Sequence, residues 1–252
     1  MQAALDIAIL AFGGFYLLYT AIAGPSEYRQ FKAAETTQAR QAFLRKQLSE
    51  GVLSGAGALL ALALKGRFST LFALPTEFRA AHVALNQPVI AIAFWSIVAA
   101  FIVLMAAPLF VIGALTNSEK DVGRARKLLA GQPLLARNGP ERFWGWLLSI
   151  DAGVSEELLF RLVLPLSVYA LSGSLALALA APLVAFGIAH LYQGVGGVIA
   201  TGLVGALMLG VYLASGSLWV AMAVHALIDL RAVVLLGWMV AMKAGQAPEA
   251  SP

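Results

Sequence analysis

Cysteine is missing from this 252-residue chain, charge is scarce, and histidine occurs only three times. Without cysteine there is no disulfide framework and no thiolate chemistry, so any bound metal would rest on His, Asp or Glu. Charged residues make up 12% and apolar residues 60%; a soluble domain has about 25% and about 45–50%. With a mean hydropathy of +0.83, the composition excludes an ordinary soluble domain. It points to an all-α, polytopic integral membrane bundle with lipid around most helices. The net charge of +4 is no nucleic-acid signature, because the basic residues sit in loops beside apolar stretches and report membrane orientation instead.

Seven stretches are long and apolar enough to be read as spans: about 3–23, 52–64, 89–115, 143–171, 175–191, 197–214 and 218–242. The first lacks a basic n-region and reads as a span, not a cleaved signal, and Gly24-Pro25 is expected to end it. The second is short and rich in Gly and Ala. Between them, 26–50 reads as an amphipathic or interfacial helix. The chain then divides into N-terminal spans with basic loops (1–142), a membrane core (143–243) and a disordered tail (244–252). The loops after the first and third spans are rich in Lys and Arg, and the loop after the second has only Lys65, Arg67 and Arg79. The positive-inside rule then puts the N-terminus out and the C-terminus in the cytoplasm of the cell membrane.

Against this background the ionisable residues of the last four spans stand out, since a charge inside a span is costly and marks function by default. Glu157 and Arg161 are four apart on one helix face, in the favourable order for an ion pair. Glu156 points about 100° away and has no such partner. His190 ends the fifth span, and His225 and Asp229 share a face of the seventh. At 1.5 Å per residue, Glu156 and His190 lie about 22 Å, and Asp229 about 17 Å, from the outer ends of their spans. One polar layer in the cytoplasmic half can therefore hold them, with His225 somewhat above.

Two chemistries suit these groups. Glu156, His190 and His225 are a ligand set for a catalytic Zn2+ with one open position. Equally, Glu156 can act as general base on water without a metal, while a His and residue 229 stabilise the oxyanion. Both routes end in amide hydrolysis. A non-catalytic binding protein and a proton-coupled transporter are the alternatives such buried carboxylates allow.

The ordered set Glu156-Glu157-x-x-x-Arg161, Phe186-x-x-x-His190 and His225-x-x-x-Asp229 resembles the motif series of the CPBP family of intramembrane proteases. That family includes type II CAAX prenyl endopeptidases and bacteriocin-processing or immunity proteins. The resemblance covers about 143–240, including Ala189-His-Leu-Tyr-Gln-Gly194. It implies an intramembrane endopeptidase, working with Zn2+ or without a metal, that acts on a membrane-associated peptide or protein. It further implies that Glu156 is the catalytic carboxylate, that Glu157 with Arg161 supports it, and that His190 and His225 belong to the site. Asp229 departs from the pattern, because many members have Asn there. An ionised Asp cannot donate to an oxyanion, so it favours orienting His225 or binding a metal, or requires a protonated Asp.

Overall fold

The computed structural model describes residues 2–115, 119–129 and 134–246. It is a helical bundle with no strand among the described residues. Among the described residues five helices are long and apolar enough to cross a membrane: Gln2–Ala33, Thr37–Leu64, Pro88–Ile112, Val195–Ser215 and Leu218–Lys243. Large apolar side chains on their outer faces, such as Phe15, Leu53, Ile92 and Leu203, are exposed, as expected where lipid is the solvent. The protein is an integral membrane protein.

In chain order the helices are α1 (Gln2–Ala33), α2 (Thr37–Leu64), α3 (Arg79–Leu85), α4 (Pro88–Leu115), α5 (Glu119–Leu129), α6 (Gly139–Glu157), α7 (Leu164–Ser172), α8 (Leu175–Ala189), α9 (Val195–Ser215), α10 (Leu218–Leu230) and α11 (Leu236–Gln246). The other two expected spans are also helical. Region 143–171 lies in α6 and α7, joined by a π-helical turn at Leu158–Val163, and 175–191 is the 15-residue α8 with a short 3-10 turn after it. A second π turn, Arg231–Leu235, joins α10 to α11. Of the expected tail, 244–246 finish α11 and the remainder lies outside the described residues, as do parts of the basic 117–142 stretch.

Two expectations about the N-terminal half are corrected. Gly24-Pro25 does not end the first helix; α1 runs through Pro25 to Ala33. A proline removes one helical donor, and a transmembrane helix tolerates that loss where neighbours cover the freed backbone. Next to it, Tyr192 packs against Gly24, where an added Cβ would lie 3.2 Å from the Tyr192 Cβ. Nor is 26–50 one amphipathic helix. It is the end of α1 and the start of α2, separated by a turn in which Thr36 caps α2 through the Ala39 N–H. The short second span is the C-terminal half of the 28-residue α2.

Small residues set the helix spacing around α6. At Gly153 a Cβ would lie 2.8 Å from the Met222 carbonyl oxygen and from the Ala226 Cβ, so α6 and α10 cross backbone to backbone. Gly55 of α2 meets Ser155 of α6 in the same way, at 3.3 Å. A buried pair locks α2 to the start of α6: Arg40 Nε donates to Glu141 Oε2 at 2.9 Å, and a second Arg40 nitrogen donates to the Leu135 carbonyl. Asn138 caps α6 by accepting from the Glu141 N–H. On the far side, Arg67 clamps Glu77 with bonds of 2.7 and 2.8 Å, which hold that carboxyl below its usual range. Gly153→Leu is expected to destabilise the bundle by about 1–3 kcal/mol through overpacking. Gly14→Leu, where a Cβ meets nothing within 4 Å, is the control, with thermal unfolding in detergent as the measurement.

Candidate active site

The close α6–α10 crossing puts the acidic pair at the end of α6 beside His225, in the turn next to Met222 and Ala226. Glu157 is fully buried, and its Oε1 accepts from His225 Nδ1 at 2.7 Å. Its other oxygen lies 3.1 Å from Arg161 Nε. Arg161, 2% exposed, donates to the Gly205 carbonyl at 3.3 Å and lies over the Phe186 ring, 4.5 Å from its centroid. Glu157 therefore does two jobs, neutralising a buried guanidinium and fixing an imidazole.

The orientation of His225 through Asp229 is corrected by this geometry. Asp229 Oδ2 lies 3.7 Å from Nε2, too far for a hydrogen bond, while the anchoring bond at Nδ1 belongs to Glu157. Glu156 Oε2 lies 3.8 Å from the same Nε2. Neither carboxylate bonds the ring directly, yet both face one nitrogen. A water beside this gap, not within it, would be in reach of all three atoms.

His190 caps the C-terminus of α8, and its Nδ1 donates to the Phe186 carbonyl at 2.8 Å. A carbonyl only accepts, so the proton is on Nδ1 and Nε2 is left for other partners. The two site histidines are thus anchored alike, each by Nδ1. Phe186, 2% exposed, packs on both rings, with centroids 4.8 Å from His190 and 6.2 Å from His225. Gly205 makes room for it, since a Cβ there would lie 2.7 Å from the Phe186 ring.

Glu156, His190, His225 and Asp229 all line one cavity of about 450 Å³, closed partly by apolar residues such as Leu148, Val204 and Ile228. The volume suits a ligand of peptide size. Tyr28 of α1 and Phe43 and Gln47 of α2 also line it, as does Tyr192 just after His190. Sequence reasoning missed these. Tyr192 had a signal, being two residues past His190 in the family-like stretch; the α1 and α2 residues had none. Arg231 donates to the Met105 carbonyl of α4 at 2.9 Å, a structural role.

The zinc set Glu156, His190 and His225 does not fit as placed. Among the described residues no three His, Asp or Glu side chains converge to hold a metal ion, whereas zinc ligands must meet one point at about 2.0–2.2 Å. The mechanism below therefore runs through the side chains alone.

Both π turns begin at the site, one straight after Glu157 and the other two residues after Asp229. The Leu164 N–H bonds the Leu159 carbonyl, five residues back. Pro165, with no N–H of its own, helps explain why the regular ladder gives way there. Such turns are frequent at functional sites.

The family model described as "Type II CAAX prenyl endopeptidase Rce1-like" matches residues 138–231, from the N-cap of α6 to the first residue of the second π turn. An Rce1-like domain is thus found over the part of the chain that carries Glu156, His190, His225 and Asp229. No curated protein and no solved structure matches the chain.

Proposed function

We propose that the chain is an intramembrane endopeptidase that hydrolyses a peptide bond of a membrane-associated protein or peptide, with Glu156 activating the water. The Rce1-like match supports a CAAX-type intramembrane protease in general. The observation that carries the residue roles is the placing of Glu156 and Asp229 at 3.8 and 3.7 Å from one nitrogen of His225.

In this reading a water bridges Glu156 and His225 Nε2. Glu156 takes a proton from it as its oxygen attacks the scissile carbonyl carbon. His225 in its imidazolium form donates from Nε2 to the oxyanion, and Glu157 holds the ring through Nδ1. The proton on Glu156 then passes to the leaving amine as the C–N bond breaks. His190 lines the same cavity, and Asp229 helps hold the water. We read the basic loops as cytoplasmic by the positive-inside rule, with the N-terminus outside and cleavage near the cytoplasmic face of the cell membrane.

The test is cleavage of a membrane-anchored peptide by purified protein in proteoliposomes, with and without a chelator. Cleavage that survives chelation and is lost in His190→Ala supports the reading. Cleavage abolished by chelator and restored by zinc overturns the metal-free mechanism. Substrate flux without cleavage, or a phenotype indifferent to Glu156, points to a transporter or a binding protein instead.

A further inference from the structure

A second, smaller cavity also reaches Glu156. Its volume is about 100 Å³, room for about three waters at ~30 Å³ each. It lies between α1, α2 and α6, and polar side chains are set among the apolar ones of its wall: Tyr16, Thr20, Gln47, Ser54, Asp151 and Ser155 all line it. Glu156 and His190 line both cavities, so the two meet at the site.

Two features of this cavity bear on how water reaches Glu156. First, Asp151 Oδ2 and Glu156 Oε2 are both buried and without a hydrogen-bond partner in the protein. Buried acceptors are as a rule satisfied, and where the protein offers no donor the partner is water. Gly51 is what makes room for Asp151, because a Cβ at position 51 would collide with its carboxylate. Second, Tyr19, Glu27 and Glu50, which also line it, gather Lys46 into an ion cluster between α1 and α2. Lys46 pairs with Glu27 and, at 3.3 Å, with Glu50, and it donates to the Tyr19 hydroxyl at 3.2 Å. Lys46 is 40% exposed, so the cluster reaches the surface.

Hydrolysis consumes one water per bond, and the hydrocarbon core of a membrane holds none to give. A peptide lying in the larger cavity would also close that side of the site. We infer that the smaller cavity is a separate water inlet to Glu156, kept wet by Asp151 and opening at the Lys46 cluster. The inference rests on the reading of Glu156 as the water-activating base.

The experiment uses the natural lack of cysteine. Single cysteines are placed at Ser54, which lines the inlet, and at its neighbour Leu53, which is 72% exposed on the lipid-facing side. The full-length protein in membranes is then treated with a charged thiol reagent. Ser54→Cys is expected to react at least about tenfold faster than Leu53→Cys, because the reactive thiolate forms only where water reaches it. In the cleavage assay Asp151→Leu is expected to lower kcat about tenfold with KM unchanged, while Asp151→Asn retains most of the activity. Equal labelling at the two positions overturns the inlet, and so does a wild-type kcat in Asp151→Leu. If the wild-type protein cleaves nothing, the protease reading fails while the labelling result still decides whether water enters here.

Discussion

Glu156→Gln is expected to leave the protein folded and inserted while lowering kcat for peptide cleavage by about 10²–10⁴, the contribution of a positioned general base. The substitution keeps the size and polarity of the side chain and removes only its ability to take a proton. Glu156 is about a third exposed to its cavities and has no ion-pair partner closer than the 3.8 Å contact to His225. Its loss therefore breaks no buried pair, and the unfolding temperature in detergent should stay close to that of the wild type. Glu157 beside it is the opposite case, fully buried and paired on both oxygens. A rate loss with unchanged stability at 156 is thus the signature of a chemical role. Turnover above a tenth of the wild-type rate would remove Glu156 as the base.

That division between two adjacent glutamates was legible in the sequence, and the reason is geometric. On one helix, residues 157 and 161 share a face, and 156 is turned about 100° away. Periodicity speaks to neighbours on the same helix. The partner of His225 could not be read in this way. Asp229, four residues on, was the visible choice, whereas the bonded partner is Glu157, 68 residues back on another helix. Which helix lies beside α10 is decided by Gly153, and its need to be glycine shows only once the crossing is known. The same limit hid the α1 and α2 residues of the site. Tyr28 and Gln47 belong to segments that look interfacial by composition. They reach the cavity because α1 continues through Pro25 and α2 packs along α6. Chain order and apolar length carried the bundle class; inter-helix contacts, on which the site depends, leave no periodic trace.

Glu157 gives the largest expected effect on stability. Glu157→Leu leaves the Arg161 guanidinium, 2% exposed, with no counter-charge among its neighbours except the more distant Glu156. Breaking a buried pair by removing one partner costs about 3–5 kcal/mol, so this variant should unfold well below the wild-type temperature. The double variant Glu157→Leu/Arg161→Met removes both charges and is expected to recover most of that loss, because replacing a buried pair by apolar side chains is often close to neutral. Activity should not recover with it. His225 Nδ1 would still have lost its acceptor, the ring would be free to turn, and Nε2 would no longer be held toward Glu156. Glu157→Gln completes the set by keeping a carbonyl oxygen for His225 while removing the charge that Arg161 needs. It should retain more activity than the double variant at lower stability. Recovery of both stability and cleavage in the double variant would reduce Glu157 to a counter-ion. Recovery of stability alone separates its two jobs and makes it the residue that positions His225.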